Sequence, residues 1–153
     1  MNIIGLHGGV TTMQHDAAAA LICDGKVVAC VEEERLSRIK HAYGQIPVKA
    51  IAEVLDIGGL TAKDIDLVCH SGIEHKDLPV RVAHYFRHFF GHVPEIRMYN
   101  HQDTHLASTF YMSDFDEAMV ASFDGFGDWE SGAMGLASAS GIDVLQRFGH
   151  ELS

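Results

Sequence analysis

His101 and His105 stand four residues apart in His101-Gln102-Asp103-Thr104-His105. On a helix, residues at that spacing share one face. Both imidazoles can then reach a single cation, the geometry behind helical zinc motifs. The chain holds 11 histidines, which makes such a pattern common, and two solvent-facing histidines fit the spacing equally. Asp124 follows in Ser122-Phe123-Asp124-Gly125-Phe126-Gly127-Asp128, at the end of an apolar run. A carboxylate at a strand end beside glycines points into a cleft. Gly125 and Gly127 let backbone N–H groups approach an anion; a plain turn aspartate is the alternative. Two histidines and one carboxylate suit Fe(II), Zn or Mn, with open positions left for a substrate oxygen. His101, His105 and Asp124 are therefore the candidate metal ligands.

Other residues compete for chemistry. His84, His88 and His92 also recur every four residues, among Tyr85, Phe86, Arg87, Phe89 and Phe90. No acidic residue accompanies them, and Arg81 and Arg87 repel a cation, so a basic solvent face or a phosphate-facing surface suits them better. His15-Asp16 precedes a run of small residues, in a loop facing the first glycine turn. Glu32-Glu33-Glu34-Arg35 reads as a solvated face, close to Lys40-His41. An ammonium at Lys40 can bind phosphate or a developing negative charge; a plain surface lysine is the other reading.

The elements that must position these residues follow from the hydrophobic pattern. Apolar runs over 2–7, 17–23, 27–31, 65–70, 95–99, 119–123, 132–139 and 142–148 read as strands. Asp24-Gly25 is a hairpin signal. Pro47 opens a helix with Val48, Ile51, Ala52 and Leu55 at helical spacing, and Gly58-Gly59 closes it. Residues 78–90 and 101–112 read as two more helices. The two ends of the chain share a pattern. Shifting the first 33 residues by 116 places Asp24-Gly25 on Ser140-Gly141 and Gly8-Gly9 on Asp124-Gly125. Both blocks read strand, glycine turn, small-residue strand, hairpin, strand, so the repeat lies in pattern and not in identity. Two unrelated meanders are the alternative.

Composition excludes several classes. At 153 residues the chain suits one domain and buries about 68–70% of its unfolded surface. Apolar residues at 47% and charged residues at 21% exclude a disordered chain. The net charge of −10 argues against a nucleic-acid backbone binder. No apolar run reaches the roughly 18 residues of a membrane span, and the start lacks the features of a signal peptide. Cys23, Cys30 and Cys69 are odd in number and lie in apolar runs, which predicts reduced, buried thiols in a cytoplasmic protein.

Taken in order, these pieces resemble the O-carbamoyltransferase family, which includes nodulation protein U and the cephalosporin and tobramycin carbamoyltransferases. The matching stretches begin with Ile4-Gly5-Leu6 and His15-Asp16-Ala17-Ala18-Ala19-Ala20-Leu21. Asp24-Gly25-Lys26-Val27-Val28-Ala29 follows, then Glu32 through His41. Later come His101 through His105 with Leu106-Ala107-Ser108, Phe110-Tyr111, and Asp124-Gly125-Phe126-Gly127. The resemblance spans nearly the whole chain, with a variable middle from about residue 70 to 95.

The resemblance implies a fold: an α/β ribonuclease-H-like domain of the actin-like ATPase superfamily, with a mixed sheet and flanking helices, plus the first strands of a second such domain. Residues 1–114 are then the first subdomain and 115–153 the beginning of the second. It also implies an activity. Carbamoyl phosphate and ATP give carbamoyl-adenylate in a separate C-terminal domain, and the actin-like domain passes the carbamoyl group to a substrate hydroxyl. By position, His101, His105 and Asp124 match iron ligands. Lys40 matches a lysine that contacts carbamoyl-adenylate and stabilises transition-state charge. His15 matches a histidine near the acceptor hydroxyl, the place of a general base. Asp124, Gly125 and Gly127 join Lys40 as cofactor-binding positions.

The chain departs from the family in places. Residues 7–14 form a different loop with a one-residue insertion, and an acidic acceptor-binding position of some relatives falls near Met13. A further aspartate ligand, much of the ATP site and the adenylate-forming domain are expected beyond residue 153. A unit that stops after its third strand leaves a sheet face uncovered and an edge unpaired. The expectation is a truncated chain, or one completed by a C-terminal half or second subunit, with a homo-oligomer also admitted. The partners expected are a small-molecule hydroxyl acceptor, with no nucleic acid and no membrane. Two other readings stand beside this one: a split, non-catalytic subunit, and an actin-like phosphotransferase fragment.

Overall fold

A computed structural model describes residues 1–9 and 14–149. The loop position expected at Met13 lies outside the described residues. The chain is α/β and divides into two compact units. The first is Met1–Ser71 with His75–Met98; the second is Gly72–Glu74 with the chain from Tyr99 onward.

The first unit begins with a meander of β1 (Asn2–His7), β2 (Ala18–Cys23) and β3 (Lys26–Glu32). β1 pairs antiparallel with β2, and β2 with β3. The Asp24-Gly25 turn joins them, with Gly25 at a φ of 77°. A short helix α1 (Glu33–Ser37) and helix α2 (Val48–Gly58) lead to β4 (Leu67–Ser71), which lies parallel to β1. Helix α3 (Leu78–Phe90) and β5 (Glu95–Tyr99) follow, and the sheet order is β3-β2-β1-β4-β5. Alternation on β1 buries Ile4 and Leu6 against Ile51 and Val54 of α2 and Val82 and Phe86 of α3 in one apolar cluster. Gly59 closes α2 in the left-handed region at φ 63°, and its N–H reaches back to the last turn.

The second unit holds helix α4 (His101–Tyr111) and a meander of β6 (Glu117–Gly127), β7 (Glu130–Ser138) and β8 (Gly141–Gly149). Both pairings are antiparallel, in the order β6-β7-β8. Leu106 and Phe110 of α4 pack on Val120, Ala133 and Ala137 of the sheet. The strand alternation turns Met119, Phe123 and Leu136 the other way, and all three are exposed. Strand, small-residue strand, tight hairpin and strand thus occur in both meanders, the pattern read at the two ends of the sequence.

Several expectations need correction. The cysteines are free but not buried: Cys30 is exposed on β3, and Cys23 and Cys69 are half-buried. β3 ends the sheet order, and its alternation turns Ala29 and Val31 toward the core cluster and leaves Cys30 on the exposed side. The acidic run 32–35 is not wholly a solvated face, because Glu33 is 3% exposed. The strand expected over 65–70 begins at Leu67 instead. A 3-10 turn over Ala62–Asp64 precedes it, fixed by a capping box in which Thr61 N–H and Oγ donate to Asp64 Oδ2 at 2.8 and 2.7 Å. Among the described residues, no helix is long and apolar enough to cross a membrane.

Candidate metal centre

Asn100 is the N-cap of α4. Its side-chain oxygen accepts from the backbone N–H groups of Gln102 and Asp103 at 2.8 and 3.2 Å. His101 therefore starts the helix and His105 lies one turn on, on the same face. The His101 backbone N–H donates to Asp128 Oδ2 at 2.8 Å. Buried Gln102 fixes the first turn to the sheet: its Oε1 accepts from Ser122 Oγ at 2.8 Å, and its Nε2 donates to the Glu130 carbonyl at 3.3 Å.

Asp124 comes from β6. Val120, Ser122 and Asp124 alternate onto the face that carries α4. The β6–β7 pairing becomes irregular between Phe123 and Gly127, and such bulges re-aim side chains. Gly125 N–H donates to Asp124 Oδ1 at 2.7 Å, which leaves Oδ2 for the histidines. Gly127 packs against the His101 ring so closely that a Cβ there would overlap it.

Three ligand atoms converge as a result. His101 Nε2 lies 2.7 Å from Asp124 Oδ2, His105 Nε2 lies 3.6 Å from the same oxygen, and the two Nε2 atoms are 3.0 Å apart. Three donor atoms this close together can all reach one ion at about 2.0–2.2 Å. The donor set of two imidazoles and a carboxylate fits Fe(II), Zn or Mn. His101 and Asp124 are mostly shielded and His105 is half exposed, so the centre is open on one side. Burial pushes the Asp124 carboxyl up, but the His101 ring, the Gly125 N–H and His105 outweigh it and hold it below the ordinary range.

His15 and Lys40 both lie in the first unit and are linked through Asp16, His41 and Glu34. His15 Nδ1 lies 2.6 Å from Asp16 Oδ2, and His41 Nδ1 lies 2.9 Å from Asp16 Oδ1. The Asp16 N–H donates to the His41 carbonyl at 2.7 Å, which ties the two loops. Glu34 accepts from the His41 N–H at 2.6 Å and from Lys40 Nζ at 3.2 Å. Tyr43 adds its ring, 5.7 Å from His15 and 5.6 Å from His41. The His41 and His15 rings hold the Asp16 carboxyl below its ordinary range, in that order of effect. Asp16, Glu34 and His41 also bring ligand atoms near one another. Lys40 and Arg35 already pair with Glu34, however, so its charge is met without an ion.

Among the described residues, only those two groups gather metal-ligating atoms, and neither includes His84, His88 or His92. The sequence reading missed Asn100, Gln102, Asp128 and Arg147. Asn100 ahead of a helix is a legible cap signal. Nothing local marks Arg147, whose partners come from α4 and β7.

Residues 7–89 match the family model described as the carbamoyltransferase N-terminus. The nodulation protein NolNO of Sinorhizobium fredii is 31% identical over 97% of this chain and 26% of its own length. An uncharacterised protein of Synechocystis is 27% identical over 79% of this chain and 25% of its own. The chain thus spans about a quarter of the length of these curated relatives. Among solved structures, YeaZ from Pseudomonas aeruginosa aligns with a TM-score of 0.55 at 12% identity, over 95% of this chain and 64% of that one. Component A of the (R)-2-hydroxyglutaryl-CoA dehydratase of Acidaminococcus fermentans aligns at 0.53 and 12% identity, over 93% of this chain and 45% of that one.

Proposed function

The chain belongs to the carbamoyltransferase family and has an actin-like, ribonuclease-H-like fold, and on that premise we propose that it is the N-terminal portion of an O-carbamoyltransferase. The complete enzyme makes carbamoyl-adenylate from carbamoyl phosphate and ATP and passes the carbamoyl group to a small-molecule hydroxyl. Residues 1–114 form the first ribonuclease-H-like subdomain in this reading, and 115–153 begin the second. The adenylate-forming part lies in a C-terminal half or a second subunit.

One observation carries the proposal: the Nε2 atoms of His101 and His105 and Oδ2 of Asp124 converge at 2.7–3.6 Å. These residues would hold a divalent metal, Fe(II) as first candidate and Zn or Mn as others. When bound, it supplies positive charge beside the adenylate phosphate. The residues of this chain do the rest. Asp16 engages Nδ1 of His15, which leaves Nε2 to accept the hydroxyl proton. The hydroxyl oxygen bonds to the carbamoyl carbon, and the bond from that carbon to the phosphate oxygen breaks, releasing AMP. Lys40 Nζ holds the charge that develops on the carbamoyl oxygen. Gly125, through its N–H to Asp124 Oδ1, and Gly127, against the His101 ring, support the two ligands beside which the adenylate would bind.

Metal content measured on the wild type, His101→Ala and His105→Ala tests the site. The wild type is expected to retain metal, incompletely because the family's further aspartate is outside this chain, and each variant to lose it. Equal content in all three would remove the centre. In the full-length enzyme, Lys40→Ala is expected to slow transfer by about 100-fold or more, as loss of a charge-stabilising donor does, and normal transfer would end its assigned role. A module completed by a second polypeptide is a further reading, favoured by the exposed Met119, Phe123 and Leu136. Membership of the family weighs against the phosphotransferase expectation.

A further inference from the structure

Arg147 takes no part in the chemistry above, yet it joins three elements of the second unit. It lies on β8, two strands from Asp124 in the order β6-β7-β8. Its Nη1 donates to Asn100 Oδ1 at 2.9 Å and to Glu130 Oε2 at 3.0 Å. Its Nη2 donates to Asp103 Oδ1 at 2.6 Å. Asn100 Nδ2 also donates to Glu130 Oε2, at 3.0 Å. One guanidinium therefore grips the N-cap and the third residue of α4 together and ties both to β7.

Those two residues bracket His101. The apolar anchors of α4, Leu106 and Phe110, begin only in its second turn. The first turn carries no buried apolar side chain, and polar contacts tie it to the sheet: Gln102 through Ser122, His101 N–H through Asp128, and the Arg147 fork. A displacement of that turn would carry His101 away from Asp124. A planar fork with fixed donor directions meets Asn100 and Asp103 at once, and the point charge of a lysine does not.

We infer that Arg147 is a positioning residue of the metal centre, fixing the first turn of α4 so that His101 and His105 stay in register with Asp124. This rests on the metal-centre reading. Groups that orient ligands without touching the metal are commonly worth 10–100-fold in affinity.

Competition with a chromophoric chelator, with Zn(II) as the metal, measures the affinity of the purified chain well below its unfolding temperature. Unfolding curves in chelator give the stability of the metal-free form. Arg147→Met is expected to weaken Zn(II) binding by about tenfold or more, and Arg147→Lys to recover part of that loss at most. Ala137→Gly, a core change in the same unit, is expected to lower stability and leave affinity unmoved. Should Arg147→Met fail to fold, Arg147→Lys carries the test with a several-fold weakening. Wild-type affinity in the folded Arg147 variants, with the wild type binding and His105→Ala not, would overturn the positioning role and leave the metal centre standing. A wild type that binds no Zn(II), or a His105→Ala that binds as well as it does, would overturn both.

Discussion

The His101 ring sits where it does because position 127 has no side chain. A Cβ at Gly127 would overlap the ring at Cδ2, Cγ and Nε2, and Nε2 is the atom that faces Asp124. Gly127→Ala is therefore expected to displace the ring and reduce bound metal to the level of His101→Ala, with the circular dichroism of the wild type retained. Metal content alongside the spectrum checks this, and full metal content in a folded Gly127→Ala would show that the ring can shift without cost. At this scale the sequence was readable wherever chemistry is local. The four-residue histidine spacing could be placed without coordinates; Asp124 was expected at the end of a strand over 119–123 but lies inside β6, at the irregular stretch between Phe123 and Gly127. Asp128 and Arg147 could not be placed, because hydrogen bonds that cross 27 and 44 residues leave no mark in a local pattern.

Helix α2 illustrates what periodicity misses among elements. Its apolar spacing and its Gly58-Gly59 end were legible, but its start is closed from outside. Glu33 of α1 accepts the Ala50 N–H at 2.8 Å with a buried carboxylate, satisfying one of the free donors of the first turn. α1 has only five residues, too few to show a helical period, so Glu33 read as one of three solvated acids. Glu33→Ala is expected to cost about 1–3 kcal/mol, the penalty of a buried donor left unpaired. Burial raises the Glu33 carboxyl above its ordinary 4.5, against the opposing pull of the Ala50 and Lys49 N–H groups. A raised carboxyl binds its proton more tightly in the folded chain. Its contribution to stability is therefore full below that ordinary value and is lost as pH rises through the folded one. Urea unfolding of wild type and Glu33→Gln from about pH 4 to pH 7 should show the wild type losing ground to the variant as pH rises. A constant gap would mean that folding leaves this ionisation unchanged.

Over the whole molecule, the two meanders differ in what covers them. In the first, Ile4 and Leu6 join a cluster with α2 and α3. In the second, α4 covers the face of Val120, Ala133 and Ala137. Its other face presents Met119 at 68%, Phe123 at 85% and Leu136 at 50% exposure. Met119 and Leu136 are direct cross-strand partners, and Phe123 stacks on Phe148 across Gly132. The repeat itself was legible because turn residues and small-residue strands recur at a fixed offset. Which face is bare was not, because Met119-Val120-Ala121 and Leu136-Ala137 are apolar on both sides and strand alternation needs a polar side to be read. A contiguous apolar patch on a chain of net charge −10 sets burial of that patch against charge repulsion, and salt at about 0.1–0.15 M screens the repulsion between charges more than about 8–10 Å apart. Self-association measured by light scattering is therefore expected to rise with protein concentration and with salt. The double variant Phe123→Thr/Leu136→Thr keeps residues suited to a strand while removing the apolar surface. It is expected to stay monomeric at the same concentrations, with an unfolding midpoint close to the wild type because neither side chain packs in the core. A wild type that scatters as a monomer at every concentration and salt would show that this face is too small or too well hydrated to drive association.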